Sequence, residues 1–330
     1  MAKVAINGMG RIGRAAFKIC LDTPGLEVVA LNDLMPIDNL AYLLKYDTVY
    51  GRYSKKVELK GNSLVVDGKT YQYLSEKDPA RLPWKDLGVD VVLECTGFFT
   101  NKEGLDKHVQ AGAKYAILSA PSKGEDVCCI VHGVTVPGEK ERVLSCASCT
   151  TNCITPVAEI MSRRIGVKKA IMTTIHAYTS SQAIVDGPNK KFRRGRAGAA
   201  NFVPTSTGAA KATANVLPQY KGKLDGIAVR GPVPCGSVAD IVFVTERATS
   251  VEEINRIFRE EAASERYRGI MGVAEDPIVS ADIIQDSRAS VIDPEMTQVV
   301  DGDLVKILAW YDNEWGYTSQ MVREAMRLFK

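Results

Sequence analysis

A chain of 330 residues is too long for one small core and too short for three full domains, so two domains are expected. Apolar residues at 45% and charged residues at 25% are the proportions of a soluble globular protein. The formal charge of +3 is nearly neutral for this length and singles out neither nucleic acid nor an acidic membrane as the partner.

The opening "MAKVAINGMG" has no long apolar run behind a basic flank, so neither a secretory nor a transmembrane segment is expected and the default location is cytosolic. "KVAINGMGRIGRAAFKICLDTP" then reads as a strand, a glycine-rich turn and a helix in succession. Gly8, Gly10 and Gly13 fit G-x-G-x-x-G: the first permits a tight turn, the second lets the backbone approach a pyrophosphate, the third lets helix and strand pack closely. The next apolar run, "LEVVALND", ends at Asp33, twenty positions beyond Gly13, where a carboxylate can accept hydrogen bonds from a ribose. A chance glycine turn is the bland alternative, and the strand before it, the helix after it and the spaced acid weigh against it.

"YSKKVELKGNSLVVDGKTYQYL" alternates around Gly61-Asn62 and Asp67-Gly68 and reads as small antiparallel hairpins. "VDVVLECTG" and "YAILSAP" continue a β-α-β rhythm whose strand ends gather at one edge, the edge where parallel sheets bind ligands. Thr96, Gly97 and Ser119 are candidates for the nicotinamide side of that crevice, although each taken alone is also an ordinary turn residue. "NKEGLDKHVQAGA" reads as a short charged surface helix carrying His108, and "DVCCIVHG" as a strand ending at His132.

"CASCTTNC", residues 146–153, holds three of the eight cysteines. No second cysteine pair at knuckle spacing follows, so zinc is poorly supported and no metal is expected. A disulfide between Cys149 and Cys153 within one helical turn would be awkward, because the bond demands a specific geometry. A nucleophile fits better: "VLSCAS" ends a strand or loop and "CTTNCITPVAEIMSRRI" turns helical. Cys149 then sits at a helix N-terminus, where unpaired amides and the dipole lower a thiol pKa and, with Ser148 and Thr150, seat an anion. Among three histidines, His176 ends the apolar strand of "KKAIMTTIHAYTSSQ", where an imidazole is either a base for that thiol or an ordinary loop residue.

"NGMGRIG", "LLKYDTVYG", "ASCTTNC", "HAYT", "PTSTGAAKA" and "WYDNEWGY", in order along nearly the whole chain, resemble the phosphorylating glyceraldehyde-3-phosphate dehydrogenase family. The resemblance implies an α/β protein: a Rossmann-like nucleotide domain (1–148, with 313–330 returning to it) and an α+β catalytic domain (149–312) whose sheet is mostly antiparallel. It implies a cytoplasmic homotetramer that uses NAD, glyceraldehyde 3-phosphate and inorganic phosphate, with no membrane and no nucleic acid required. Cys149 resembles the nucleophile and His176 its base. Arg11, Ile12, Lys77 and Asn313 join Gly8, Gly10, Gly13, Asp33, Thr96, Gly97 and Ser119 as cofactor contacts. Ser148, Thr150, Thr179, Arg194, Thr207, Gly208 and Arg230 match the family's phosphate contacts. Asp33, which would repel a 2'-phosphate, and Pro188 both point to NAD rather than NADP.

The chain departs from the family pattern at Met9, Cys95, Cys146, Ser181, Gly231 and Cys235. Two other readings are carried: the sister activity on erythrose 4-phosphate, and a nucleotide-bound binding protein with vestigial chemistry. The presence of both Cys149 and His176 argues against the second. "TSVEEINRIFREEAASE" carries a capping box at Ser250 and Glu253, "LVKILAWYDN" reads as a strand, and Tyr317, Met321, Ala325 and Leu328 form the stripe of a closing helix expected to pack on the first domain.

Overall fold

The computed structural model describes residues 1–329 and divides into two compact units. The first comprises residues 1–130, 136–147 and 321 onward; the second comprises 131–135 and 148–320.

The first unit is a nine-stranded sheet. Its elements in chain order are β1 (Ala2–Asn7), α1 (Arg11–Leu21), β2 (Leu26–Asn32), α2 (Ile37–Lys45), the small pair β3 (Tyr46–Asp47) and β4 (Gly51–Arg52), β5 (Val57–Lys60), β6 (Ser63–Val66) and β7 (Lys69–Leu74). Then come α3 (Trp84–Leu87), β8 (Val91–Glu94), α4 (Lys102–Gln110), β9 (Tyr115–Leu118), β10 (Cys128–Cys129) and β11 (Val143–Ser145). The strand order is β10-β11-β9-β8-β1-β2-β7-β6-β5. All pairings from β10 to β7 are parallel, and β6 and β5 add an antiparallel edge.

Central strands β1 and β8 are apolar on both faces (Val4, Ala5, Ile6; Val91, Val92, Leu93), as a sheet covered on both sides requires. The chain runs from β1 to β2 on one side and places β8 on the other, so β1 marks the switch point where doubly wound sheets bind ligands. The hairpins turn where the alternation breaks, at Gly61-Asn62 and at Asp67-Gly68; Asp67 (φ 47°) and Gly68 (φ 80°) both take the left-handed conformation a two-residue turn needs.

The second unit holds α5 (Cys149–Arg164), β12 (Val167–Ala177), β13 (Val203–Ser206), α6 (Ala209–Val216), β14 (Leu224–Gly231) and β15 (Ser237–Thr245). It continues with α7 (Val251–Ala263), β16 (Met271–Val273), β17 (Ser290–Val300), β18 (Leu304–Tyr311) and α8 (Trp315–Arg327), the last part of which belongs to the first unit. The sheet order is β13-β14-β12-β15-β18-β17-β16, antiparallel except where β12 pairs with β14 and β16 with β17. One face of α5 buries Ile154, Val157, Ile160 and Met161. Its basic end is tied to α7: Arg163 and Arg164 both bond Glu261. The capping box forms by half: Ser250 accepts from the Glu253 amide, while the Glu253 carboxylate turns to Arg247 and Thr249. On α8, Tyr317, Met321 and Ala325 are buried.

One expectation is corrected here. His108 is fully buried, not on a solvated face, because α4 turns it inward onto Glu94 and Trp84.

Candidate functional site

A cleft of about 800 Å³ opens in the first unit at the carboxyl ends of β1, β2 and β8. Asn7, Gly8, Gly10, Asn32, Asp33, Lys77 and Thr96 are among its walls. Gly8 has φ 94°, and a Cβ there would lie 2.6 Å from the Thr96 nitrogen, so only glycine lets the two loops meet. A Cβ on Gly13 would lie 1.8 Å from the Gly8 carbonyl oxygen; the helix sits against its own turn at that point. Gly10 faces open space, with no atom within 4 Å of where its side chain would begin. It precedes Arg11 and Ile12, the first two residues of α1.

Asp33 is held by two backbone donors: the Met35 amide bonds one carboxylate oxygen at 2.9 Å and the Met9 amide bonds the other at 2.5 Å. Each oxygen keeps a lone pair for a further donor. Gly97 turns with φ 74°. Ser119 stands beside the Cys95 thiol, and its amide bonds the Glu94 carbonyl. The Arg11 guanidinium pairs with Asp47. Asn313 belongs to the second unit, where its amide oxygen accepts from the Gly236 amide and the Ser237 hydroxyl.

A second cluster lies in the second unit. Ala147 (φ 53°) turns the chain out of β11, and Ser148 caps α5 by accepting from the Thr151 amide at 3.0 Å. Cys149 is thereby the first helical residue. Its Sγ lies 3.3 Å from His176 Nε2, at the end of β12. His176 is buried; its Nδ1 lies 2.7 Å from the Ala177 carbonyl and also meets Arg230 Nη1, so Nε2 is the ring nitrogen that faces the thiol. Arg230 Nη1 donates to the same carbonyl at 3.0 Å and lies against the ring.

The charge state follows from burial. Desolvation and the neighbouring Arg230 push the imidazole down to about 3. Desolvation also pushes the Cys149 thiol up, against the lowering pull of Arg230 and of the Thr150 amide and hydroxyl. The helix-start position therefore does not leave a standing thiolate; the resting pair is a neutral thiol beside a neutral imidazole.

Of the other residues expected to contact anions, Arg194 lies close enough to His176 to lower its pKa. Arg194 Nε donates to Thr205 at 3.0 Å and its Nη1 reaches Ser181, whose hydroxyl lies 2.9 Å from Thr179 Oγ1. Gly208 caps α6, and Thr207 accepts from the Ala209 amide. Among the described residues, neither Arg194 nor Arg230 pairs with a carboxylate, which leaves two guanidiniums for anionic ligands. No group of three or more His, Cys, Asp or Glu among the described residues is arranged to hold a metal.

Tyr311 had no role in the sequence reading. Its buried hydroxyl bonds Thr150 Oγ1 at 2.9 Å and Thr174 Oγ1 at 2.7 Å, and its ring meets His176 edge-on, so it ties the cysteine helix to the histidine strand. The available signal was its place at the inward-facing end of "LVKILAWY". Cys153 packs one turn deeper, fully buried against Ser290 and the Ala309 carbonyl.

Residues 2–102 match the glyceraldehyde 3-phosphate dehydrogenase NAD-binding domain, and residues 148–313 match that family's C-terminal domain. The chain belongs to the glyceraldehyde 3-phosphate dehydrogenase family. It is 52% identical to the glyceraldehyde-3-phosphate dehydrogenase of Clostridium pasteurianum, over 98% of this chain and 97% of that one. It is 49% identical to that of Streptomyces coelicolor, over 97% and 96%. To that of Geobacillus stearothermophilus it is 48% identical, again over 97% and 96%. As a member of this family it is an NAD-dependent oxidoreductase. The first unit fits the cofactor: open space at Gly10 suits the approach of a pyrophosphate, and the spare lone pairs of Asp33 suit a ribose.

Proposed function

We propose that this chain is a phosphorylating glyceraldehyde-3-phosphate dehydrogenase, with Cys149 as nucleophile and His176 as base. The 3.3 Å approach of Cys149 Sγ to His176 Nε2 carries the assignment. Gly8, Gly10, Arg11, Ile12, Gly13, Asp33, Lys77, Thr96, Gly97 and Ser119 hold NAD. The first unit is the nucleotide domain and the second the catalytic domain.

As the thiol attacks the aldehyde carbon, its proton passes to His176 Nε2 and a C–S bond forms, giving a hemithioacetal. The imidazolium then donates to the oxygen on which charge develops. NAD, when bound, supplies the two-electron acceptor for the oxidation. Cys149 carries the oxidised carbon as a thioester, which conserves the free energy that direct hydrolysis would lose. Inorganic phosphate attacks the thioester, the C–S bond breaks, and the thiolate recovers its proton from His176; the product is 1,3-bisphosphoglycerate.

Arg194 and Arg230, with Ser148, Thr150, Thr179, Thr207 and Gly208, seat the substrate phosphate and inorganic phosphate. Ser181 gives Arg194 a hydroxyl where an aspartate would neutralise it. The curated relatives quoted above carry the glyceraldehyde-3-phosphate name, which favours that substrate over erythrose 4-phosphate.

The enzyme works as a cytoplasmic homotetramer of dihedral symmetry. Support comes from the loop around residues 179–200, which exposes Ile184, Val185 and Phe192, and from the exposed Ile171, Ile175 and Ile227 on the sheet of the second unit. Among the described residues no helix is long and apolar enough to cross a membrane. The test is NADH formation from glyceraldehyde 3-phosphate with and without phosphate, repeated with erythrose 4-phosphate and NADP. Turnover that ignores phosphate, or that prefers the four-carbon aldehyde, would overturn the reading; sedimentation of a fully active monomer would overturn the tetramer.

A further inference from the structure

We infer that Glu94 is the hub of a buried hydrogen-bond frame that positions the walls of the NAD cleft without touching the cofactor. Glu94 ends β8 and has no exposed surface. Its carboxylate has four hydrogen-bond contacts, and each one can be given a direction. Thr96 supplies two to Oε1, from its amide at 2.8 Å and from its hydroxyl. Asn7 Nδ2 and His108 Nε2 reach Oε2 at 2.6 Å and 2.9 Å.

The directions follow from groups that can act in only one way. The Glu76 amide donates to Asn32 Oδ1 and the Glu76 carbonyl accepts from Asn32 Nδ2, both at 2.9 Å, which orients that amide. Asn32 Nδ2 then also donates to Asn7 Oδ1 at 2.7 Å, so Asn7 presents its NH2 to Glu94. On the other side the Trp84 indole, which only donates, bonds His108 Nδ1 at 3.0 Å; the ring proton is therefore on Nε2 and points to Glu94. All four contacts are donors, and Glu94 is an acceptor throughout.

This chain of bonds joins the ends of three strands. Asn7 immediately precedes Gly8, Asn32 immediately precedes Asp33, and Thr96 is the residue whose backbone fills the space beside Gly8. The glycine turn, the ribose acceptor and the loop after β8 are thus held in one mutual arrangement. A network with every member satisfied specifies geometry more strictly than apolar packing does. Preorganised walls bind without an ordering cost, so the frame acts on cofactor affinity.

The inference rests on the NAD reading of the cleft, and the test separates the two. Calorimetric titration of the wild-type protein with NAD tests the cleft itself. In Glu94→Gln, an NH2 group faces donors that need an acceptor, and the dissociation constant for NAD should rise about tenfold or more. KM for NAD should rise with it, while kcat at saturating NAD stays within about threefold, because the Cys149 site is unchanged. Hydrogen exchange at the Thr96 amide of the NAD-free protein should speed up. If Glu94→Gln does not fold, His108→Leu removes one donor and should weaken NAD severalfold, and His108→Gln, which keeps a donor toward Glu94, should restore it. Wild-type binding with Glu94→Gln or His108→Leu folded and within twofold of it would overturn the frame. So would a loss confined to kcat. Failure of the wild type to bind NAD would instead overturn the reading of the cleft.

Discussion

Cys149 Sγ and His176 Nε2 stand 3.3 Å apart although they are 27 residues apart in the chain, one at the start of a helix and the other at the end of a strand. Replacing Cys149 with serine should abolish oxidation of the aldehyde, because the hydroxyl is a far weaker nucleophile at its free pKa. His176→Asn should slow the chemistry by about a hundredfold or more while NAD affinity is kept. Steady-state rates together with NAD titration check both, and a fully active Cys149→Ser variant would show that the wrong thiol is named.

Thiol labelling should single out the same residue. Cys149 is half-buried and has a base in contact, whereas Cys146 and Cys153 are buried, and burial pushes the thiols of Cys146 and Cys153 far up. Alkylation near neutral pH followed by peptide mapping should find Cys149 modified first. His176→Asn should slow that labelling, since the Cys149 thiol then lacks the acceptor for its proton. Labelling of Cys146 or Cys153 ahead of Cys149 contradicts this.

Stability should carry the signature of the buried imidazole. The unfolded chain protonates His176 near its ordinary value of 6.5, but the folded chain holds it down to about 3. Below 6.5 the unfolded state binds the extra proton, so this contribution to stability is complete above 6.5 and is lost as pH falls toward 3, by up to about 1.4 kcal/mol per pH unit. Melting temperatures of the wild type and of His176→Asn, measured across that window, should converge or cross as pH drops. Parallel curves would mean that the imidazole titrates normally in the folded protein.

Cofactor choice should follow Asp33. Its carboxylate, fixed by the Met9 and Met35 amides, would face the extra phosphate of NADP. Asp33→Ala should raise kcat/KM with NADP relative to NAD by about tenfold or more, since one charge contact is worth 1.4 kcal/mol or above. An unchanged ratio removes the assignment.

Tyr311 offers a subtler test. Tyr311→Phe keeps the ring against His176 but leaves the Thr150 and Thr174 hydroxyls without their shared partner. The expected cost is about 1–3 kcal/mol of stability. A lower kcat should accompany it, as the helix start and the strand end lose their common tie. A variant as stable and as active as the wild type would show that the hydroxyl ties nothing.

What the sequence determined by itself is what short-range chemistry determines. Gly8, Gly10, Gly13 and Asp33 could be read because a turn that excludes Cβ, a helix start and a strand end follow one another within one β-α-β unit. The hairpin turns at 61–62 and 67–68 were legible for the same reason, since only certain residues accept a positive φ. Cys149 at a helix start was legible from the change of periodicity that follows it. Tertiary structure alone brought His176 to that thiol and Tyr311 to Thr150, 161 positions away. It alone turned His108 from an expected surface residue into a buried partner of Glu94. It also decided the charge state of the central pair. A helix start by itself lowers a thiol pKa, but the desolvation that opposes it is set by every element packed around the site, and no local stretch of sequence contains that sum.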